Sequence, residues 1–249
     1  MNQAVINRDD VGVFASGCTS FGQPGSSGQK LSPALISALE KRGFTGIAYK
    51  GRVRRYRKGQ MIFLEGEVLT CYYILLKGSV KVFKQALDGK TVTLATWPAI
   101  GTFGDMNLVD QRGAGASVEA LTDVEVLVIE RGIFVAYIRQ HPEVYDAIMR
   151  SIVERLRFLQ ERLLEIVSLP VEQRLVRILL SLSEQFGKEV PLTHQDIADL
   201  AGICRELVSR KLHQLQATGA VLAKRGRIVI TDDEQLRQAG SWVSSRKPC

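Results

Sequence analysis

The sequence lacks the features that mark membrane, secreted and zinc-dependent proteins. No apolar run in its 249 residues approaches the about 18 residues that a membrane-spanning helix needs. The N-terminus carries Asp9 and Asp10 with no apolar segment behind them, so we expect no secretory signal. The four cysteines form no CxxC pair, which suits a reducing cytoplasm and argues against a disulfide framework or a structural zinc site. They are Cys18, Cys71, Cys204 and Cys249.

The sequence also lacks the patterns of an enzyme active site. No Ser/His/Asp set, metal-ligand cluster or phosphate-binding glycine loop stands out, and only three histidines are present. What the chain does have is an ordinary globular composition, with 45% hydrophobic and 24% charged residues, and a length that allows two compact domains. Its net charge of +7 favours a polyanionic partner such as DNA without identifying one.

The first half of the chain is predicted to be a leader followed by a β-rich domain. Residues 1–30 combine glycines with Ser, Thr and Gln, which predicts a flexible leader. Between residues 45 and 130, short apolar runs alternate with glycines. Residues 80–84 alternate apolar and polar side chains, and Asp88-Gly89 then supplies a hairpin turn before residues 91–94. Many short strands at regular spacing predict a β-barrel or jelly roll.

A long helix with an apolar stripe is predicted to follow. The stripe residues are separated alternately by four and three positions and have charged neighbours, which is the pattern of a two-stranded coiled coil. The alternative is one helix packed on its own domain, and the narrow stripe favours a dimer seam. Pro170 then ends the helix and supplies a hinge. The stripe consists of Tyr145, Met149, Ile152, Leu156, Leu159, Leu163 and Ile166.

The C-terminal segment has the pattern of a helix-turn-helix followed by a small hairpin. Thr193 and Asp196 form a predicted capping box that opens a helix through Leu200, and Gly202 permits the tight turn after it. The next helix carries polar residues on one face that fits the major groove, where Arg pairs with guanine and Glu accepts from cytosine N4. These residues are Arg205, Glu206, Ser209 and Arg210. Residues 221–230 predict two strands around a basic glycine turn, which is a wing.

This order of a β-rich domain, a dimer helix and a winged helix-turn-helix resembles the cAMP receptor protein/FNR family of bacterial transcription regulators. The resemblance implies an α+β fold: a flexible leader (1–30), a cyclic-nucleotide-binding-like β jelly-roll sensor (31–135), a dimerisation helix (136–169) and a winged helix-turn-helix (170–249). It further implies a homodimer that binds a palindromic site in double-stranded DNA and works with RNA polymerase, away from any membrane. The segments that carry the resemblance are Tyr72–Val82, Gly101–Met106, Leu121–Asp123, Leu192–Ala198 and Gly202–Leu212.

The same resemblance assigns roles to the residues that contact DNA. Arg205, Glu206 and Arg210 match the base-reading positions of the cAMP receptor protein, whereas Glu206, Ser209 and Arg210 match those of the FNR type. The implied half-site is therefore TGTGA-like or TTGAT-like. The phosphate contacts implied by the helix-turn-helix and the wing are Thr193, Gln195, Lys224, Arg225 and Arg227; an exposed, solvated turn is an equal alternative for the last three.

The sensor domain departs from the pattern of the family members that bind cyclic nucleotides. Those members hold the ribose with Gly-Glu and the phosphate with Arg-Ser/Thr, and here the matching positions are Gly104-Asp105 and Ala114-Gly115. A phosphate would lack its bidentate cation, so we expect that cAMP is not the effector. A different small molecule, a dinucleotide or no ligand all remain open. The candidate pocket residues are Gly104, Asp105, Met106, Arg112 as a substitute cation, and Leu159 and Gln160 from the dimer helix.

No cofactor is expected. Cys18 stands alone, which argues against an iron–sulfur cluster, and His141 before Pro142 is interpreted as a helix-boundary residue rather than a haem ligand. The alternative to a transcription regulator is a cyclic-nucleotide- or dinucleotide-binding module that acts on a partner protein. The charged face of the helix after Gly202 and the absence of Arg at position 114 both count against that alternative.

Overall fold

Two antiparallel sheets form the N-terminal domain in the computed structural model, which describes residues 31–44, 46–106 and 112–241. The predicted leader lies outside these ranges. One sheet has the strand order β1-β8-β3-β6, and the other has the order β2-β7-β4-β5. The strands are β1 Arg52–Tyr56, β2 Met61–Phe63, β3 Cys71–Lys77, β4 Ser79–Gln85, β5 Thr91–Pro98, β6 Gly101–Phe103, β7 Ser117–Ala120 and β8 Val124–Glu130. The predicted jelly-roll class of fold is confirmed.

The hairpin of β4 and β5 follows from the local sequence as predicted. Its strands pair antiparallel, from Ser79 opposite Pro98 to Gln85 opposite Thr91. Asp88 accepts a hydrogen bond from the Lys90 N–H at 3.1 Å, and Gly89 has a φ of +80°, which a side chain would disfavour. The Asp88-Gly89 turn therefore joins β4 and β5 directly.

Strands β3 and β8 are buried on both faces, by the second sheet on one side and by helices on the other. Between the two sheets, aromatic rings pack closely, with the Tyr73 and Phe103 centroids 5.3 Å apart and the Phe63 and Phe103 centroids 5.9 Å apart. The outer face of the β3 sheet packs against two helices, α1 Pro33–Lys41 and α2 Arg131–Gln140, and there Tyr72 stacks on Phe134. Ser32 caps α1, since its hydroxyl accepts a hydrogen bond from the Leu35 N–H.

The segment 136–169, predicted as a single helix, is divided between two helices in the structure. Helix α2 ends at Gln140, and the long helix α3 spans Pro142–Ser168. The residue before a proline is driven out of the helical region, and His141 accordingly has φ −130° and ψ 77°. Proline is well tolerated at the first position of a helix, so α3 begins at Pro142. No helix among the described residues is both long and apolar enough to cross a membrane.

The predicted dimer stripe on α3 divides into two parts. Met149 and Ile152 are half-buried and pack against the hydrophobic core beneath α1 and α2. The remaining five stripe residues are between 46% and 63% exposed. They are Tyr145, Leu156, Leu159, Leu163 and Ile166. The C-terminal part of α3 therefore presents an apolar surface that the described part of the chain leaves uncovered, and the dimer seam stays a prediction.

The C-terminal domain is a three-stranded sheet packed on helices. The helices are α4 Val171–Phe186, α5 His194–Ala201, α6 Arg205–Ala217 and α7 Asp233–Ser241, and the strands are β9 Glu189–Val190, β10 Val221–Lys224 and β11 Arg227–Ile230. The sheet has the order β10-β11-β9, so β9 extends the predicted two-stranded wing by one strand. One hydrophobic core joins all four helices and this sheet.

The two domains contact each other through α5 and the β4–β5 hairpin. Lys81 on β4 is 8% exposed and lies 3.2 Å from a Glu119 carboxylate oxygen and 3.7 Å from one of Asp196 on α5. Leu121, which follows β7, packs into the core of the C-terminal domain. From α3, the Arg162 guanidinium donates to the carbonyl of Leu200 at the end of α5. The sensor domain, α3 and the helix-turn-helix are thus in direct contact.

Cys71 departs from the expectation for the cysteines. It is 3% exposed at the start of β3 and is disulfide-bonded. Cys204 is free and exposed. A disulfide outside a CxxC pair leaves no local signal in the sequence.

Candidate nucleic-acid interface and sensor pocket

Helix α6 is positioned by the turn that precedes it and by its buried face. Gly202 closes α5 with a φ of +64°, and its N–H donates to the Ala198 carbonyl. Val208, Leu212 and Leu215 are buried in the core of the domain, as their helical spacing predicts. Because the buried face fixes the rotation of α6 about its axis, the opposite face of the helix is held toward solvent.

The outward face of α6 carries the predicted base-reading residues. Arg205, Glu206 and Arg210 are exposed, whereas Ser209 is half-buried. The Ser209 hydroxyl lies 2.9 Å from Nδ1 of His194, the first residue of α5. The structure therefore brings three of the four residues to the surface, and it engages the fourth with a histidine that the sequence analysis did not consider for DNA.

A cleft of about 420 Å³ separates the start of α5 from the tip of the wing. Seven residues line it: Thr193, His194, Gln195, Arg205, Lys224, Arg225 and Gly226. Four of the five predicted phosphate contacts thus meet in one place. The fifth, Arg227, lies outside the cleft and pairs with Glu189 of β9 at 2.9 Å.

The predicted capping box fixes the start of α5 beside this cleft. The Asp196 N–H donates to the Thr193 hydroxyl at 3.2 Å, and the Thr193 N–H donates to the Asp196 carboxylate at 2.8 Å. The Gln195 side chain donates to Asp199 at 2.7 Å. The N-terminus of α5 therefore faces the cleft with a fixed backbone, and helix N-termini favour anions such as phosphate.

His194 is the titratable group of this cleft. The pKa of His194 is lowered from its ordinary value. Partial burial is the larger cause, and the positive charge of Arg205 is the second. The other cations that line the cleft are Lys224 and Arg225. The lowered pKa favours the neutral imidazole as the partner of the Ser209 hydroxyl.

The sensor pocket lies inside the jelly roll, against α3, and contains a buried ion pair. Asp105 is 4% exposed, and its carboxylate accepts from both terminal nitrogens of Arg155 and from the Met106 N–H at 3.1 Å. Arg155 projects from α3 and also donates to the Thr102 hydroxyl and the Ser151 carbonyl, each at 3.3 Å. Its guanidinium carbon lies 5.9 Å from the centre of the Trp97 ring.

Four of the six predicted pocket residues line this cavity of about 190 Å³. They are Gly104, Asp105, Met106 and Leu159, and Ala114 and Gly115 lie beside them. The predicted substitute cation, Arg112, does not line the cavity, and neither does Gln160. Arg155 supplies the cation instead. Arg155 lies four residues before Leu159 and so on the same face of α3. This spacing is the one signal in the sequence from which Arg155 could have been found.

The groups that line the cleft offer hydrogen bonds and positive charge. Within residues 31–44, 46–106 and 112–241, no cluster of three or more His, Cys, Asp or Glu side chains has the geometry to hold a metal ion. The polar groups at the DNA-facing surface are hydrogen-bond donors and cations rather than a nucleophile with a base. Such a surface can hold phosphates and read bases.

Comparison with known proteins agrees with both domains. Residues 53–141 match the cyclic nucleotide-binding domain, and residues 173–239 match the Crp-like helix-turn-helix domain. A structure of the c-di-GMP-responsive global regulator CLP of Xanthomonas campestris superposes with a TM-score of 0.67 at 22% identity, covering 78% of this chain and 98% of that one. This similarity supports the fold.

Two curated relatives extend over most of the chain. The cyclic AMP receptor protein of Thermus thermophilus is 33% identical over 213 residues, covering 84% of this chain and 97% of its own length. The CRP-like cAMP-activated global transcriptional regulator of Mycobacterium tuberculosis is 27% identical over 216 residues, covering 84% and 93%. Both are regulators rather than enzymes. The chain, with its sensor domain, long helix and winged helix-turn-helix, therefore belongs to the CRP/FNR family of DNA-binding transcription regulators.

Proposed function

We propose that this regulator binds a two-fold-symmetric promoter site as a homodimer, with α6 of each protomer in the major groove. The observation that carries the proposal is the exposed row of Arg205, Glu206 and Arg210, next to the cationic cleft. As a promoter-bound protein it would act in the cytoplasm with RNA polymerase, as the family resemblance implies.

The row on α6 has the chemistry for direct base readout. Arg205 and Arg210 can each pair bidentately with guanine O6 and N7, and Glu206 can accept from cytosine N4. Because His194 engages Ser209 in the free protein, we propose that the two arginines and Glu206 dominate readout, which favours the TGTGA-like half-site over the TTGAT-like one.

The cleft beside α6 has the chemistry for the DNA backbone. We propose that Thr193, Gln195 and the N-terminus of α5 hold one phosphate, with Lys224 and Arg225 of the wing on the flanking strand. Arg227 is assigned a smaller role, since Glu189 already neutralises its charge. These contacts set the register of α6 in the groove and make the affinity dependent on salt.

The homodimer proposal rests on the uncovered part of α3. Leu156, Leu159 and Leu163 are 55%, 46% and 63% exposed and lie at coiled-coil spacing. A second copy is the occupant that fits, because a two-fold dimer through this stripe would present two recognition helices to a palindrome. Two α6 helices about 34–36 Å apart would then enter successive major grooves on one face of the DNA.

For the sensor, we propose that cAMP is not bound in the usual way. The charged groups of the pocket already satisfy each other, because both terminal nitrogens of Arg155 donate to Asp105. Ala114 and Gly115 offer no side-chain donor at the positions of the family's Arg-Ser/Thr pair. A cyclic phosphate would have to displace Asp105 and leave a buried carboxylate unpaired, which is costly.

Substitution of Arg210 tests the DNA-binding proposal. We expect Arg210→Ala to weaken binding of a TGTGA-type palindromic duplex by about 1–3 kcal/mol per half-site, which is the strength of one bidentate pair with a base, and to relax discrimination against mutated half-sites. Fluorescence anisotropy at fixed salt measures both quantities. Arg237→Ala on α7, an exposed arginine outside the cleft, is the matched control and should leave the affinity unchanged. Equal affinities of wild type and Arg210→Ala would exclude the proposed role of α6.

Proton uptake at His194 gives a pH test. A DNA phosphate in the cleft would offset the charge of Arg205 and raise the pKa of His194, so that complex formation takes up a proton. We therefore expect the affinity for DNA to rise as the pH falls from about 7.5 to 6, by at most about tenfold per pH unit for each protomer of the dimer. His194→Gln should flatten this dependence, whereas His213→Gln, exposed on α6, should retain it. Identical pH profiles for wild type and His194→Gln would refute the assignment.

A further inference from the structure

The sensor cavity has an apolar interior with one neutralised polar corner. Its walls come from aromatic and aliphatic side chains, among them Phe63, Leu69, Trp97 and Phe103. Among the described residues that line it, the charged ones are Asp105 and Arg155. The ring packing of Phe63 and Phe103 continues into the core of the jelly roll, so the cavity wall is rigid on that side.

Each nitrogen of the Arg155 guanidinium already donates to a protein acceptor in the charged corner, and Asp105 offsets its charge. Nε of Arg155 donates to the Ser151 carbonyl, NH1 donates to Asp105, and NH2 is shared among Asp105 and the hydroxyls of Thr102 and Ser151. Asp105 is likewise satisfied by the guanidinium and the Met106 N–H. The pair is electrically neutral, so it attracts a cationic ligand no more than an anionic one.

The size of the cavity sets the size of the occupant. An apolar cavity of about 150 Å³ is enough to bind benzene. The sensor cavity, at about 190 Å³, therefore has room for a small ring with one or two substituents. A nucleotide, with its base, ribose and phosphate, also needs polar partners that the described walls do not offer.

We propose that this pocket binds a small, uncharged, apolar ligand of the size of a substituted benzene. Binding would bury the ligand against Trp97 on β5 and Leu159 on α3. Leu159 also belongs to the proposed dimer seam, so the ligand would act on the spacing of the two recognition helices. This last step rests on the proposed function, whereas the binding itself does not.

Toluene is the probe for this site, with p-toluate as the anionic analogue of the same ring and cAMP as the nucleotide. The full-length protein without DNA is titrated by calorimetry and by saturation-transfer NMR. We expect saturable binding of toluene, and binding of p-toluate and cAMP weaker by about tenfold or more, because each would bring an unpaired charge into the cavity. Absence of toluene binding, or tighter binding of p-toluate or cAMP, would overturn the proposal.

A cavity-filling variant and a direct location of the probe complete the test. A Cβ on Gly115 would lie 3.2 Å from the flexible end of Met106, so Gly115→Leu should fill the cavity and weaken toluene binding by about tenfold. Gly132→Leu adds the same atoms near the start of α2, outside the cavity, and should bind toluene as the wild type does. Should Gly115→Leu fail to fold, the site is located in the wild type by NOEs from toluene to the methyl groups of Leu159 and Met106. NOEs to other methyl groups only would contradict the proposal.

Two independent failures are distinguishable in this design. The toluene titration contains no DNA, so its failure leaves the DNA-binding proposal intact. Conversely, a protein that binds toluene but no palindromic duplex would retain the pocket and refute the proposed function. If saturating toluene changes the affinity for DNA, ligand binding and DNA binding are coupled. No change in affinity would contradict the proposal that the ligand acts on the dimer seam through Leu159.

Discussion

Leu163→Asp is expected to convert the homodimer into a folded monomer and to weaken binding to a palindromic site by about 10²- to 10⁴-fold. The physical reason is that a carboxylate on each protomer would face its counterpart within the seam, where burial of an unpaired charge is costly. Leu163 is 63% exposed within one chain, so the substitution should leave the fold of the protomer intact. Sedimentation equilibrium and anisotropy with a two-half-site duplex measure the two effects.

The matched control for this substitution is Leu87→Asp. Leu87 is fully exposed near the tip of the β4–β5 hairpin, so the same change in side chain is made outside the seam. We expect this variant to sediment and bind DNA as the wild type does. A dimeric Leu163→Asp protein with full DNA affinity would show that the stripe on α3 is not the dimer seam.

Asp105→Ala is expected to destabilise the sensor domain by about 3 kcal/mol, at the lower end of the cost of removing one partner of a buried ion pair. The carboxylate is nearly inaccessible, whereas the Arg155 side chain retains 20% exposure and can recover some hydration. Without Asp105, the guanidinium of Arg155 stays largely buried beside the apolar side chains of the cavity and has no counter-charge. The urea midpoint of the sensor domain, followed by circular dichroism, measures the loss of stability.

A double variant and a surface control separate the ion pair from general damage. Asp105→Leu combined with Arg155→Met removes both charges and should recover most of that stability, since apolar replacement of a buried pair is often neutral. Asp88→Ala breaks the 2.6 Å pair with Lys90 on the hairpin tip, where both groups are exposed, and should leave the midpoint unchanged. A double variant as unstable as Asp105→Ala would contradict the explanation.

Local patterns predicted most of the secondary structure and the DNA-facing helix. The alternation of residues 80–84, the Asp88-Gly89 turn and the capping box at Thr193 each act over a few residues, and each appears as predicted. The recognition helix was predictable for the same reason, because its buried spacing fixes its exposed face. Signals that act within one or two turns of chain can be read without knowledge of the fold.

Contacts between distant segments could not be predicted in the same way. Asp105 and Arg155 are 50 positions apart, and His194 and Ser209 are 15 apart, so no periodicity links either pair. In the sequence, Arg155 is one of several charged residues beside the apolar stripe. It contacts Asp105 only because α3 packs on the jelly roll. The half-burial of Met149 and Ile152 has the same origin, because one apolar stripe serves both the protomer core and the predicted seam. The break at His141 did have a local signal in Pro142.

Selection of bound duplexes from a random DNA library, at fixed salt and with the full-length protein, tests the central claim most directly. We expect the recovered sites to contain two inverted half-sites whose centres are one helical turn apart, about 34–36 Å along the DNA, and a TGTGA-like core in each. Arg210→Ala should recover sites with weaker preference within the same symmetric frame. Recovered sequences without two-fold symmetry, or no enrichment over the starting library, would contradict binding by a homodimer through α6.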